Sequence, residues 1–234
     1  MSKERPILFN AEMVNAILDG RKTQTRRVMQ QQPPSDDWTL TYVVASTEKK
    51  LEGKRHWVRL NEAQTTELER GPYFNKPYEI GDHLWVRETC IISPKNWLSS
   101  DDQLNHKDIV KDSDGNHRVV QYLATNSDTD VPLNDYKLKK TPSIHMPRWA
   151  SRILLKVTDV RKERLNDISE ADVIAEGGPK SHSSIDKVSR TCGFKDWSRS
   201  WFAHTWDWIN GNGAWSQNPW VWVVEFKVVE GATQ

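Results

Sequence analysis

The chain of 234 residues carries 33 basic and 32 acidic side chains, a formal net charge of +1, which excludes the broad basic excess of a protein held on duplex DNA mainly through phosphates. Its length suits one domain with insertions or two small domains, and a chain of this size buries roughly 70–75% of its unfolded surface, so it folds without disulfides. No apolar run approaches the roughly 20 residues of a membrane span, and Met1 to Phe9 is charged and short of apolar residues, so the expectation is a cytoplasmic protein with no signal peptide and no membrane contact.

In chain order, Pro6 to Phe9 reads as a short extended segment. Asn10 is a candidate N-cap, Met13, Val14, Ile17 and Leu18 recur at helical spacing, and Gly20 suits the left-handed position past a helix end. Together they predict a helix over residues 11–19. Residues 23–28 alternate, with threonines at 23 and 25, and predict a strand. Gln30 to Asp37 is a polar linker. Trp38, Leu40, Tyr42 and Val44 then share one face of an extended run that pairs with residues 56–60 as a β-hairpin. Gly81 and Asp82 form a turn before a strand over 83–89.

Residues 93–143 are polar and turn-rich, apart from a second hairpin over 108–124 around Asp112-Ser-Asp-Gly-Asn116. Its Asp-x-Asp spacing does not make a calcium loop, because His117 and Leu123 stand where such a loop needs Gly and Glu. Residues 153–160 are β-rich. Ser169 caps a helix over 170–176, with Asp172 completing a capping box and Gly177 stopping it. A polar loop runs to about Lys195, and Trp197, Trp201, Phe202 and Trp208 mark a helix ending near Asn210. Trp220 to Val229 is the clearest strand: Trp220, Trp222, Val224 and Phe226 share one face and Val221 and Val223 the other. Two apolar faces predict a central strand. Strands outnumber the short helices, so the fold class is α+β, mainly β: a mixed sheet or small barrel with packed helices and hairpin insertions.

Twelve residues are Trp, and seven of these fall between Trp197 and Trp222. Trp serves core packing or base stacking; burial of Trp197, Trp201 and Trp220 is the expectation. Cys90 and Cys192 lie outside any CxxC pair and read as reduced thiols. No histidine pair has HxxxH spacing or adjoins a CxxC, and GxSxG, P-loop and GxGxxG motifs are absent, so no metal or cofactor is expected.

Two places carry chemistry. Arg21, Lys22, Arg26 and Arg27 cluster with Thr23 and Thr25 just past a helix end. They are either cations that complement the helix dipole on a solvated face or a site for an anionic or nucleotide-like ligand. In the second reading neighbouring cations depress the Lys22 pKa, and a partly neutral amine serves a threonine as general base. Glu176 falls in the last turn of a short helix, where its charge opposes the dipole and Asp172 lies four residues earlier on the same face. Either a distant cation pairs with it or it serves a ligand.

The run Ile17-Leu-Asp-Gly-Arg-Lys-Thr-Gln-Thr-Arg26 resembles the N-terminal motif of ASCH domains, relatives of the PUA fold. Gly81-Asp-His-Leu-Trp-Val-Arg-Glu88 resembles the strand that follows it in that family, residues 167–177 its short helix, and residues 222–226 its final strand. The resemblance covers the N-terminus, residues 77–90 and residues 143–229, and is closest to long members of phage and prophage origin. It implies a small β-barrel flanked by short helices, as a single domain over residues 1–234 with insertions at about 30–76 and 93–142. It also implies a cleft for RNA or a modified nucleoside. In one bacterial branch a Lys, a Thr and a Glu hydrolyse the acetyl amide of N(4)-acetylcytidine, and the matching positions here are Lys22, Thr25 and Glu176. Thr25 would be the nucleophile, Lys22 its base, and Glu176 a partner that orients substrate or handles a proton. Arg21, Arg26, Trp85 and Arg87 are the expected substrate-binding residues, with Arg26 or backbone N–H groups as oxyanion donors. The implied function is amidohydrolysis of an N(4)-acylated cytidine-type substrate. The alternatives are a non-catalytic RNA or modified-base binder, a ribonuclease, and an accessory protein with a Trp-rich partner surface.

Overall fold

The computed structural model describes residues 2–94, 109–126 and 138–229. Its elements in chain order are β1 (Glu4–Leu8), α1 (Ala11–Leu18), β2 (Gln24–Val28), β3 (Trp38–Tyr42), β4 (Arg55–Leu60), β5 (Glu67–Arg70), β6 (His83–Arg87), β7 (Cys90–Ile92), β8 (Ile109–Lys111), β9 (His117–Tyr122), β10 (Lys139–Thr141), β11 (Leu154–Arg164), α2 (Glu170–Ala175), α3 (Ser183–Thr191), α4 (Trp197–Asn210) and β12 (Trp220–Val228). No helix among them is long and apolar enough to cross a membrane. The fold is mixed α+β and mainly strand, in several sheets.

The main sheet has five strands in the order β1-β6-β11-β12-β2. Only β1 and β6 pair in parallel; the other neighbours are antiparallel. The two apolar faces of β12 explain its place inside the sheet. Trp222, Val224 and Phe226 enter one core with Ile7, Phe9, Val14, Ile17, Leu84 and Leu155. Val221 and Val223 enter a second core with Leu165, Val173, Phe202 and Trp206. Each large aliphatic or aromatic side chain so buried contributes about 1.5–3 kcal/mol.

The strands do not close into the small barrel that the resemblance implies: the described strands form three open sheets. The physical reason lies in the chain path. From β1 the backbone turns at Asn10, whose side chain accepts a hydrogen bond from Met13 N–H, into α1 and reaches β2 only after Gly20. A helix therefore connects the two edge strands, and no backbone ladder joins them. A side chain bridges the seam instead: Arg27 Nη2 on β2 donates to the Leu8 carbonyl on β1 at 2.7 Å.

The two insertions build sheets of different kinds. Strands β3, β4 and β5 form an antiparallel sheet that lays Trp57, Trp38 and Leu40 on the main core. The four-stranded sheet β10-β7-β9-β8 has its own core of Cys90, Ile92, Val120, Tyr122, Met146 and Ala150. It draws residues from both sides of the 93–142 segment, so the second insertion is rooted more widely than its sequence boundaries. Burial, with Glu88 nearby, pushes the Cys90 thiol up to about 12.

Two local expectations need correcting, and one strand is new. Residues 183–191 form α3 where a polar loop was expected, because His182 caps the helix and α4 holds it from the side. Ser189 and Ser200 hydroxyls meet at 3.1 Å, and Trp197 N–H donates to Asp186 at 2.9 Å. Strand β5 is exposed along its whole length and polar except for Leu68, and exists through its ladder to β4. Finally, Trp197, Trp201 and Trp220 are half-buried rather than buried. Trp220 illustrates why: the cations of Lys162 and Arg164 lie over its ring, 4.9 and 4.8 Å from the centroid, and keep that region near water.

Candidate functional site

The site begins where α1 stops. Asp19 caps the helix, Gly20 takes φ +71°, and the N–H groups of Arg21 and Lys22 both donate to the Ala16 carbonyl at 2.8 and 2.9 Å. This tight return carries Lys22 inward before β2 begins. It meets the end of α2, which starts with the capping box of Ser169 and Asp172 and finishes at Glu176. Gly177 follows with φ +90°, and a Cβ there would lie 2.9 Å from Ala16 Cβ and 3.3 Å from Lys22 Cβ. Glycine is what lets the two helix ends come together. Thr23 N–H then donates to the Ala175 carbonyl at 2.8 Å, and Phe226 N–H to the Thr23 carbonyl at 2.9 Å.

Lys22 Nζ donates to Glu176 Oε2 at 2.7 Å and to the Glu176 carbonyl at 2.8 Å. Its side chain is 0% exposed, and the ammonium lies 5.6 Å from the Phe9 ring centroid. Burial lowers the Lys22 pKa from the ordinary lysine value; Glu176 opposes this, and Arg27 and Arg26 reinforce it. The awkward position of Glu176 thus has a structural answer: two cations offset the opposing dipole. The second is Arg26, whose Nη1 lies 3.3 Å from Glu176 Oε1.

Arg26 is itself surrounded. Its Nη2 reaches Glu163 at 2.9 Å and Asp172 at 3.5 Å. Arg161 shares those two carboxylates, at 2.6 and 3.1 Å, and also pairs with Glu225. The register explains the grouping. Arg26 stands opposite Val223 on β12 and Arg161 opposite the same residue from the other side, so both project from the sheet face that α2 covers. Thr25 and Arg27 oppose Val224 and Trp222 and project from the other face, as the alternation predicts.

A cavity of about 730 Å³ opens against this network. Phe9, Thr25, Arg26 and Glu176 form part of its wall, and α4 supplies Phe202, Thr205 and Trp206. A smaller cavity of about 310 Å³ shares Asn10, Met13, Glu176, Phe202 and Thr205 with it and extends to Arg21 and Gly177. Thr25 is buried yet lines the larger cavity, and no group among the described residues bonds its hydroxyl. Two solvent-shielded donors in the same wall lack partners, Arg26 Nε and Trp206 Nε1. An unpaired buried donor costs about 1–3 kcal/mol, which marks it for a functional explanation.

The structure therefore brings Lys22, Glu176 and Arg26 into direct contact and sets Thr25 on the same cavity wall as Glu176. No hydrogen bond joins Lys22 to Thr25, and Lys22 lines neither cavity; Glu176 stands between its amine and the open space. Arg21 sits at the smaller cavity, exposed, paired with Asp19 at 2.8 Å and donating to the Gly177 carbonyl at 3.2 Å. Trp85 and Arg87 line neither cavity. Alternation along β6 sends Leu84 and Val86 into the core and puts Trp85 and Arg87 on the opposite face. There Arg87 lies 5.4 Å from the Trp85 ring centroid and donates to the Ile144 carbonyl.

Sequence reasoning missed Glu163, Asp172 as a partner of Arg26, and the α4 wall of Thr205, Trp206 and Trp208. Nothing local marks Glu163, which is 137 residues from Arg26. The run of seven Trp was a signal for α4 that burial alone does not exhaust. Among the described residues no group of three or more His, Cys, Asp or Glu is placed to hold a metal ion. Compared with models of known families, with curated proteins and with solved structures, the chain matches none.

Proposed function

We propose that the chain is an ASCH domain of the PUA-like kind, with its small barrel left open at the seam between β1 and β2, and that it deacylates an N(4)-acylated cytidine-type nucleoside in the cleft at that seam. The observation that carries this reading is the buried Lys22–Glu176 pair, 2.7 Å long, backing a cavity that also exposes the unbonded Thr25 hydroxyl. Phe9 and Trp206 give the cavity flat apolar walls suited to a base.

In this mechanism the Thr25 hydroxyl oxygen attacks the acyl carbon and its proton passes to the Lys22–Glu176 pair. Burial depresses the Lys22 pKa and Glu176 faces the cavity, so the carboxylate relays the proton between the open space and the amine behind it. Arg26 holds Glu176 at the wall, and its unpaired Nε is a spare donor for the developing oxyanion. Collapse of the tetrahedral intermediate breaks the C–N bond, and the proton held by the pair goes to the departing N4 amine. Water then hydrolyses the Thr25 ester and returns the enzyme.

Incubation with N(4)-acetylcytidine, followed by chromatography for cytidine, tests the reading. Turnover is expected, with losses of about 10²–10⁴-fold in Thr25→Ala and Lys22→Ala. Absent turnover, or turnover that survives both changes, overturns it. A second reading, a non-catalytic binder of RNA or a modified base, is favoured by one observation: both hydrogen bonds of the sealed Lys22 amine already go to Glu176. It calls for salt-sensitive RNA binding without any chemical change to the ligand.

A further inference from the structure

The lip of the larger cavity differs from its floor. Trp208 is 76% exposed and Ile209 47% exposed at the end of α4, and Leu8 and Val28 are 41% and 46% exposed. All four line the same opening. One exposed apolar residue needs no explanation, whereas four around one mouth form a patch of the kind that meets a ligand.

A cation shares this lining. Arg27 is half-buried beside Val28, donates to the Leu8 carbonyl, and lies 5.6 Å from the Phe9 ring centroid. Arg26 is neutralised by three carboxylates and Arg21 pairs with Asp19, but Arg27 has no carboxylate partner among the described residues. An exposed indole, an apolar flank and an uncompensated guanidinium at one mouth are the parts that hold a single strand. Bases of any identity stack on the aromatic face and a phosphate meets the cation. A purely apolar ligand would cover the patch and strand the Arg27 charge; a free nucleoside would reach the floor and leave both lip groups unused.

We propose that the cavity accepts its nucleoside as one residue of a single-stranded nucleic acid, with a neighbouring base stacked on Trp208 and an adjoining phosphate on Arg27. What occupies the floor rests on the nucleoside reading given above; the role of the lip does not depend on catalysis.

The experiment measures binding of the full chain to dye-labelled ten-residue cytidine oligonucleotides, ribo and deoxyribo, across a salt series, beside acetylcytidine turnover. The intact protein should bind the strand, and Trp208→Ala should weaken it by about 5- to 100-fold while Trp208→Phe retains most of the affinity. Arg27→Gln should reduce the slope of log affinity against log salt by about 0.7, one phosphate on a single strand, and Arg27→Lys should restore it. A ribo preference identifies RNA as the partner, and equal binding identifies a strand of either sugar. The proposal is overturned if neither oligonucleotide binds, if Trp208→Ala binds as tightly as the intact protein, or if the salt slope ignores Arg27. The two readings fail separately. Strand binding lost in Trp208→Ala without any acetylcytidine turnover removes the hydrolase and keeps the lip. Faster turnover of free acetylcytidine than of the same residue within an oligonucleotide removes the lip and keeps the hydrolase.

Discussion

The floor and the lip of one cavity treat charge in opposite ways. On the floor, Arg26 and Glu176 form the wall of a network that continues behind it through Lys22, Arg161, Glu163, Asp172 and Glu225, and almost every donor has an acceptor. At the lip, Arg27 meets no carboxylate among the described residues and Trp208 lies open to water. Buried charges survive only in such mutual company, so the floor is fixed before any ligand arrives. Apart from the Arg27 bond to the Leu8 carbonyl that bridges the seam, the lip contributes little to the fold, and its unmet groups are free to be met from outside. Four substitutions sharpen or break this contrast.

The largest effect is expected at Lys22. Lys22→Ala leaves Glu176 buried with one cation at 3.3 Å, and losing one partner of a buried pair costs about 3–5 kcal/mol. Urea unfolding monitored by circular dichroism measures it. Replacing both members, Lys22→Met with Glu176→Leu, should recover much of the loss, because two apolar groups need no counter-charge. A single-variant loss below about 1 kcal/mol would mean that the pair is hydrated, and the floor would then resemble the lip.

Gly177→Ala comes next. The new Cβ sits 2.9 Å from Ala16 Cβ at a backbone with φ +90°. Left-handed strain of about 1–2 kcal/mol adds to an overpacking cost of about 1–3 kcal/mol. A melting temperature unchanged by this substitution would show that α1 and α2 do not abut through Gly177.

Asp172→Asn tests the floor through pH. Burial alone would raise the Asp172 carboxyl, but hydrogen bonds from Ser169, the Arg26 charge and Gln24 outweigh it and hold the group below the usual carboxylate range. A folded pKa below the unfolded value of about 3.9 means that its stabilisation is complete above that value and is lost as pH falls through the folded pKa. The variant should lose about 1–2 kcal/mol at neutral pH. The gap between the two melting temperatures should close as pH drops below about 4. A gap that stays constant down to pH 2.5 would remove Asp172 from the charge network.

How much of this was legible in the sequence follows from the range of each signal. The two faces of β12 were readable because a period of two with apolar residues on both sides has one structural outcome. Residues 220–226 accordingly divide between two cores as their alternation requires. The ends of α1 and α2 were readable because caps act within four residues: Asn10, Gly20, Ser169 and Gly177 each do what their chemistry suggests. The convergence of Lys22 and Glu176, 154 residues apart, was accessible only as a motif implication. Its physical trace in the sequence was the misfit of Glu176 against its own helix dipole. Glu163 had no trace, since a carboxylate on a long antiparallel strand looks like any solvated one. Trp85 and Arg87 line neither cavity, because the alternation of β6 turns them to the face opposite Leu84 and Val86, a side that a motif match does not record. The missing barrel closure was equally hidden, because strand periodicity records which face is buried and not whether two edges meet.

The smallest effect on stability, and the sharpest division between the two regions, is expected at Trp208. At 76% exposure its truncation removes little buried area, and surface substitutions of this kind stay within about 0.5 kcal/mol. Each floor substitution lowers the melting temperature, so any ligand defect it causes is mixed with damage to the fold. Trp208→Ala separates the two: near-intact thermal unfolding alongside a weakened single strand assigns the residue to recognition alone. A melting temperature that falls as far as that of Asp172→Asn would instead place Trp208 in the packing of α4, and the lip would become a second floor, held by its own contacts with nothing left over for a ligand.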